Sequence, residues 1–182
     1  MRDAIKRGDE AALRALVAHL ARNFATSRLA AVLGPNVTLV PAPRSSPLVE
    51  GALWPPRLIA GELVAAGLGR EVRLLLERVE AVPKSSFQKP GERPSARRHY
   101  ETIQAHAELL TTPRLTLVDD FVTKGNTLLG GASRLAETFP AMRLAAFALV
   151  RTRGLQPDVA DLVEPCVGRV VRVGDDWAER EP

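Results

Sequence analysis

The sequence predicts an α/β fold, with a central, mostly parallel sheet and helices on its faces. Three observations predict it. Short apolar runs alternate along the chain with segments whose apolar residues recur at helical spacing. The run RLTLVDD, residues 114–120, lacks the polar alternation of a strand with one wet face, as expected where both faces are covered. The 182 residues are 46% hydrophobic and 25% charged, which suits one domain able to bury a core.

In chain order, residues 9–22 (DEAALRALVAHLAR) place Leu13, Leu16, Val17 and Leu20 on one helical face, with Asp9 at the capping position. A second short helix is expected over TSRLAAVL, stopped by Gly34-Pro35-Asn36. VTLVPAP reads as a buried strand broken by Pro41 and Pro43. PPRLIAGELVAAGLG reads as a helix with proline in its first turn and Gly67 and Gly69 near its end. EVRLLLERV is expected as one strand despite its leucines. Residues 81–99 then change character, with prolines and serines set among Lys84, Lys89, Arg93, Arg97 and Arg98. A segment this long without regular pattern is usually functional or disordered. Beyond it, YETIQAHAELL is expected to be helical, RLTLVDD a strand, TLLGGASRLAETF a helix, AMRLAAFALV a strand and GRVVRVG a last short strand.

Net charge is +4 and the isoelectric point about 9.8. That excess suits an anionic partner, either nucleic acid or a phosphorylated small molecule, though a mildly basic solvated surface would look the same. A single cysteine, Cys166, excludes an intrachain disulfide and a cysteine-based zinc site. No apolar run reaches the ~18 residues that span a bilayer, so no membrane partner is expected. MRDAIKRGDE carries acidic residues and no apolar core, unlike a secretory signal, and a cytoplasmic location is expected.

The chemistry concentrates in LTLVDDFVTKGNTL, residues 115–128. In parallel α/β sheets ligands sit beyond the carboxyl ends of the strands, and this stretch joins such an end to a helix. Gly125 can take positive φ and let backbone approach a ligand, while the helix start offers unpaired N–H groups and the positive end of its dipole. Thr123 and Thr127 add hydroxyls. Asp119 and Asp120 repel each other, and burial would raise their pKa values. They stay ionised there only against hydroxyl donors, such as the vicinal hydroxyls of a sugar, or against Mg²⁺ with its waters. A phosphate cradle beside two such carboxylates describes a ribose 5-phosphate site.

The run LVDDFVTKGNT closely resembles the phosphoribosyl pyrophosphate (PRPP) fingerprint of type I phosphoribosyltransferases. That fingerprint is four apolar residues, two acidic, two variable, Thr or Ser, one variable, Gly, one variable and Thr, and every fixed position is filled. Upstream, VPAPRSS resembles the family's pyrophosphate loop. RLIAGELVAAGLG and the basic segment after RLLLERV resemble the ComF-like branch, and the likeness covers about residues 37–150. Two departures stand out. ComF-like proteins commonly carry an N-terminal cysteine-rich zinc module, whereas the first 33 residues here read as helical. Lys124 and Asn126 also fill variable loop positions often held by small residues.

The resemblance implies the type I phosphoribosyltransferase fold with a small hood. Residues 1–35 would form a helical segment serving as hood or interface, residues 36–174 the α/β domain, and residues 175–182 a tail. It implies displacement of pyrophosphate from PRPP by a nitrogen acceptor with Mg²⁺ as cofactor, through an oxocarbenium-like transition state. Asp119 and Asp120 would bind the ribose hydroxyls and share in holding the metal. Val122, Thr123, Lys124, Gly125, Asn126 and Thr127 would wrap the 5′-phosphate, with Lys124 turned either to it or to solvent. Ala42, Pro43, Arg44 and Ser45 would form the pyrophosphate loop, often with a strained or cis peptide, unless Arg44 is a plain surface residue. Lys84 and Lys89, with Arg93, Arg97 and Arg98, fit a catalytic lid over the diphosphate or a solvated loop. His99 would either move protons on the acceptor or lie polar on the surface. His19 and His106 are structural or exposed. Trp54 is expected to pack, and Trp177 to join the hood or a surface. A homodimer is expected. Nucleic acid is not favoured, since aromatics are few and no helix-turn-helix pattern is present. A non-catalytic regulator that binds PRPP or a nucleotide is the alternative. A phosphatase metal site is disfavoured because the aspartates lack Asp-x-Asp spacing.

Overall fold

The computed structural model of the protein describes residues 2–83, 93–152 and 165–181. Its centre is a four-stranded sheet made of β1 (Thr38–Pro41), β2 (Glu71–Val72), β5 (Arg114–Val122) and β6 (Arg143–Arg151). The order is β2-β1-β5-β6 and every pairing is parallel. The α/β class and the covered sheet predicted by RLTLVDD are therefore present, and β5 runs two residues past the expected end.

Two apolar clusters sandwich this sheet. On one side α2 (Glu10–Arg22) and α3 (Pro55–Ala65) bury Leu13, Val17, Ile59 and Leu63 against Leu39 of β1 and Val118 of β5. Short α1 (Arg2–Lys6) adds Ile5 to the same cluster. On the other side α5 (Asn126–Thr138) buries Leu128 and Leu135 against Val40, Leu115 and Leu117. Asp9 caps α2 as expected, accepting a hydrogen bond from the Ala12 N–H at 3.0 Å. Among the described residues no helix is long and apolar enough to cross a membrane.

Four expectations are corrected. TSRLAAVL forms no α-helix but two 3-10 turns, Phe24–Thr26 and Arg28–Ala31. Ser27 stands between them, its hydroxyl accepting from the Leu29 N–H and donating to the Phe24 carbonyl, which breaks the helical ladder. EVRLLLERV is two strands in two sheets. Glu71–Val72 pairs with β1, and β3 (Leu76–Arg78) pairs antiparallel with β4 (Ile103–Ala105). Leu75 and Leu76 leave the main sheet to join the α5-side cluster. The helix expected over YETIQAHAELL is α4 (Ala96–Thr102), which starts earlier because Ser95 caps it by accepting from the Arg98 N–H. It ends earlier too, because buried Ile103 and exposed Gln104 alternate as the β4 edge requires. The residues expected as a tail contain β8 (Trp177–Glu181), which forms an antiparallel hairpin with β7 (Arg169–Val173) around Gly174, Asp175 and Asp176. Gly174 supplies the turn's positive φ of 59°.

Candidate functional site at the carboxyl edge of the sheet

β1 and β5 are parallel neighbours, with Pro41 opposite Val118. The loop that begins at Ala42 and the segment Asp119–Thr127 therefore leave the same edge of the sheet side by side. The Ala42 N–H donates to the Val118 carbonyl at 2.7 Å, which fixes the register to the first residue of the loop.

Asp119 and Asp120 lie at this edge, where the pleat of β5 is broken. Val118 and Phe121 pack on the α2–α3 side, and Leu117 and Val122 on the α5 side, so the two-residue period fails between them. Each carboxylate accepts the N–H of the residue after it. Asp120 N–H reaches Asp119 Oδ1 at 2.9 Å, and Phe121 N–H reaches Asp120 Oδ1 at 2.8 Å. Asp119 is 9% exposed. Burial first, and the charge of Asp120 second, push its carboxyl well above the usual carboxylate range. The pair thus stores unfavourable electrostatics that hydroxyl donors or a cation would relieve.

The loop after β5 turns at Gly125, whose φ of 97° is left-handed. Gly125 is the N-cap of α5, and no side chain caps that helix. Its first-turn N–H groups and dipole are oriented for an anion. Thr123 and Lys124 are exposed, while Asn126 and Thr127 are half-buried. The Val122 carbonyl accepts from the Thr152 N–H at 3.0 Å and from Arg180 at 3.4 Å.

The C-terminal hairpin folds onto this loop. A Cβ on Gly125 would stand 2.7 Å from Val170 Cγ1, so glycine is required there by space as well as by φ. Asn126 spans two neighbours: its Nδ2 donates to the Pro94 carbonyl and its Oδ1 accepts from the Ala178 N–H, both at 2.9 Å. Arg180 reaches across from β8 to the Val122 and Thr152 carbonyls. Its pKa is lowered by partial burial and by the nearby Arg151. These hairpin contacts had no signal in the loop's own sequence.

On the β1 side, Ala42 accepts a 2.7 Å hydrogen bond from the Trp54 indole, which confirms Trp54 as a packing residue. The Ser45 carbonyl accepts from the Val82 N–H at 2.7 Å. Pro43 and Arg44 line a cleft of about 180 Å³ with Trp54, Leu74, Leu76 and Arg78. Arg44 Nη1 is buried with no hydrogen-bond partner among the described residues, and so is Arg93 Nε. Unpartnered buried guanidinium donors are rare and suit an anion not yet in place. No peptide bond among the described residues is cis, so the pyrophosphate loop lacks the cis form that was one alternative.

The expected lid divides. Lys84 and Lys89 lie outside the described residues. Arg97 and Arg98 are part of α4, where Arg97 pairs with Glu101 at 2.9 Å and Arg98 pairs with Glu80. Neither is a loop cation. His99 is not a surface residue: it is 4% exposed. Its ring is held down to about 3 by burial and by the positive charge of Arg78, so it is neutral and has no proton to offer an acceptor. His19 lies against Asn23, and His106 against Glu77 at 3.0 Å. Trp177 is exposed in β8.

Arg78, which sequence reasoning passed over, is 2% exposed and organises the interior. Its Nε donates to the Arg44 carbonyl at 2.9 Å, Nη1 to the Thr102 hydroxyl, and Nη2 to His99 Nδ1 at 3.0 Å. Burial and the charge of Arg98 lower its pKa to about 10, which leaves it cationic at neutral pH.

No protein-family model matches the chain, and no curated protein matches it in sequence. A solved structure of a hypoxanthine phosphoribosyltransferase from Staphylococcus aureus is similar at 12% identity and a TM-score of 0.44. The likeness covers 85% of this chain and 70% of that one. It is slight, and the site is read from its own geometry.

Proposed function

We propose that the protein is a phosphoribosyltransferase that binds PRPP with Mg²⁺ and transfers the ribose 5-phosphate group to a nitrogen acceptor, releasing pyrophosphate. One observation carries the reading. The loop at Ala42–Ser45 and the segment Asp119–Thr127 leave adjacent parallel strands at one edge, so anion-binding features flank a carboxylate pair.

In this reading the uncapped start of α5, with Thr123 and Thr127, holds the 5′-phosphate, and Asp119 and Asp120 hold the ribose hydroxyls. Arg44 turns its unpartnered Nη1 to the diphosphate. Fixing both ends of the ribose lets the bond to the leaving pyrophosphate lengthen without loss of alignment, and the guanidinium meets the charge as it develops. Among the described residues no group of three or more His, Cys, Asp or Glu could hold a metal. That fits an ion bound by one or two carboxylates and the substrate's own phosphates, the usual habit of Mg²⁺, with Asp119 and Asp120 as its protein ligands. Bound there, it would supply positive charge to the departing pyrophosphate. Lys84 and Lys89 are assigned to the lid, and the chain to the ComF-like branch, from sequence resemblance alone.

The test is to incubate the protein with PRPP, Mg²⁺ and a panel of purine and pyrimidine bases and follow pyrophosphate release. Release with at least one base is expected, as is severe loss of PRPP binding in Asp119→Asn/Asp120→Asn with the fold intact. A protein that binds no PRPP, or a double variant that binds it normally, would refute the assignment. PRPP binding without turnover would favour the second reading, a regulator that binds PRPP or a nucleotide. The buried, neutral state of His99 favours that reading, since it removes one candidate proton carrier.

A further inference from the structure

The chain Arg44–Arg78–His99–Thr127 runs through the interior from one anion loop to the other. Arg78 reaches the Arg44 carbonyl at 2.9 Å and His99 Nδ1 at 3.0 Å, and His99 Nε2 stands 3.3 Å from Thr127 Oγ1. A guanidinium only donates hydrogen bonds. Nδ1, which faces Arg78, must therefore accept, and in a neutral imidazole the single proton then sits on Nε2. Burial and the Arg78 charge keep that ring neutral. The Nε2–H accordingly donates to Thr127 Oγ1. A threonine oxygen that accepts there keeps its own proton free for another acceptor. Thr127 is the second residue of α5, next to the helix N-terminus that no side chain caps.

We propose that His99 is a positioning residue for phosphate binding: fixed in its Nε2–H form by Arg78, it orients the Thr127 hydroxyl so that its proton is donated to the 5′-phosphate of a ribose phosphate. The inference deepens the function proposed above and rests on it. It assigns Arg78 a second task, since the same guanidinium steadies the loop carbonyl at Arg44. It also accounts for a histidine buried without a carboxylate or a metal: what is needed is a rigid neutral ring that accepts on one side and donates on the other.

Two measurements test it. The first is the ¹⁵N spectrum of the imidazoles in the free protein at neutral pH, with His99 assigned by substitution. The Nε2–H tautomer is expected, and an Nδ1–H tautomer or a protonated ring would overturn the proposal. The second is a double-mutant cycle read with ribose 5-phosphate. His99→Asn keeps an acceptor for Arg78 but is too short to reach Thr127. It should weaken ribose 5-phosphate about five- to tenfold, the worth of one hydrogen bond, while inorganic pyrophosphate binds within about twofold of wild type. Thr127→Val should weaken ribose 5-phosphate at least as much, and the double variant no more than Thr127→Val alone. Additive losses, or equal losses for the two probes, would mean that His99 only supports the fold. If the wild-type protein bound no ribose 5-phosphate at all, the phosphoribosyltransferase reading and this inference would fall together. If it did bind and the cycle were additive, only the inference would fall.

Discussion

Gly130 and Gly131 are neighbours in α5, and alanine should affect them in opposite ways. A Cβ on Gly130 would stand 2.7 Å from His99 Cβ, 2.8 Å from the Ala96 carbonyl oxygen and 2.8 Å from the Tyr100 nitrogen. Two of those three atoms are backbone of α4, so relief requires the helices to separate. On Gly131 the nearest atoms would be Leu117 Cδ2 at 3.1 Å and Leu76 Cδ1 at 3.2 Å, both ends of flexible side chains. Each substitution gains about 1 kcal/mol of helix propensity. Overpacking of a core costs about 1–3 kcal/mol, with the upper end expected where backbone must move. Gly130→Ala should therefore lose about 1–2 kcal/mol net, and Gly131→Ala should lie within about 0.5 kcal/mol of wild type. With a urea m-value of about 2 kcal/mol/M for a chain of this size, the Gly130→Ala midpoint should fall by roughly 0.5–1 M. Urea melts followed by far-UV circular dichroism decide the matter. Wild-type stability in Gly130→Ala, or a larger loss in Gly131→Ala, would refute the close α4–α5 contact.

Three further predictions follow from the same structure. His99 lies at about 3 when folded against 6.5 ordinarily, so between those values the unfolded chain holds a proton that the folded one refuses. Stability should fall on acidification below 6.5 by up to about 1.4 kcal/mol per pH unit from this group, with no contribution above 6.5. Urea melts across pH should show this slope in wild type and not in His99→Asn, and parallel profiles would contradict it. Asp119 has the opposite sign, because its raised folded value stabilises the protein at low pH and that contribution is lost as pH rises through it. Asp119→Asn retains an acceptor for the Asp120 N–H, so it should match wild type in acid and exceed its stability at pH 8; lower stability at pH 8 would count against a buried, strained carboxyl. Asn126→Ala removes bonds to Pro94 and Ala178, which should cost about 1–3 kcal/mol and speed hydrogen exchange at the Ala178 amide. Unchanged protection of that amide would show that Asn126 does not hold the hairpin.

What the sequence revealed was local. Leu115–Val118 is an unbroken apolar run closed by charge and glycine, and that suffices to write a covered strand, a turn and a helix start. Thr38–Pro41 and Arg143–Arg151 are legible for the same reason. The missed features depend on distant partners. His99 sits in a basic run and reads as polar, and only Arg78 on another strand makes its burial tolerable. Nothing near Gly125 announces Val170. Leu74–Leu76 carries the same residue types whether it continues the main sheet or leaves it for β4, so its composition could not choose. The hairpin turn Gly174-Asp175-Asp176 between VVRV and WAERE was readable, but a short charged terminal segment also looks like a tail.

The candidate site is also where the chain departs most from what stability alone would favour. Asp119 is buried beside a like charge, Arg44 holds a buried N–H without a partner, and α5 starts without a capping side chain. Each departure disfavours the empty fold, and random drift would scatter such features over the molecule. Here they fall on two loops that leave adjacent strands at one edge. They also differ in what they lack: the carboxylates lack donors or a cation, whereas the guanidinium and the helix start lack anions. A ligand of one charge type would satisfy one group and repel the other. A phosphorylated sugar offers hydroxyl protons at one place and phosphate oxygens at another, which is why this mixture of needs points to a sugar phosphate rather than to a simple anion or a metal ion alone.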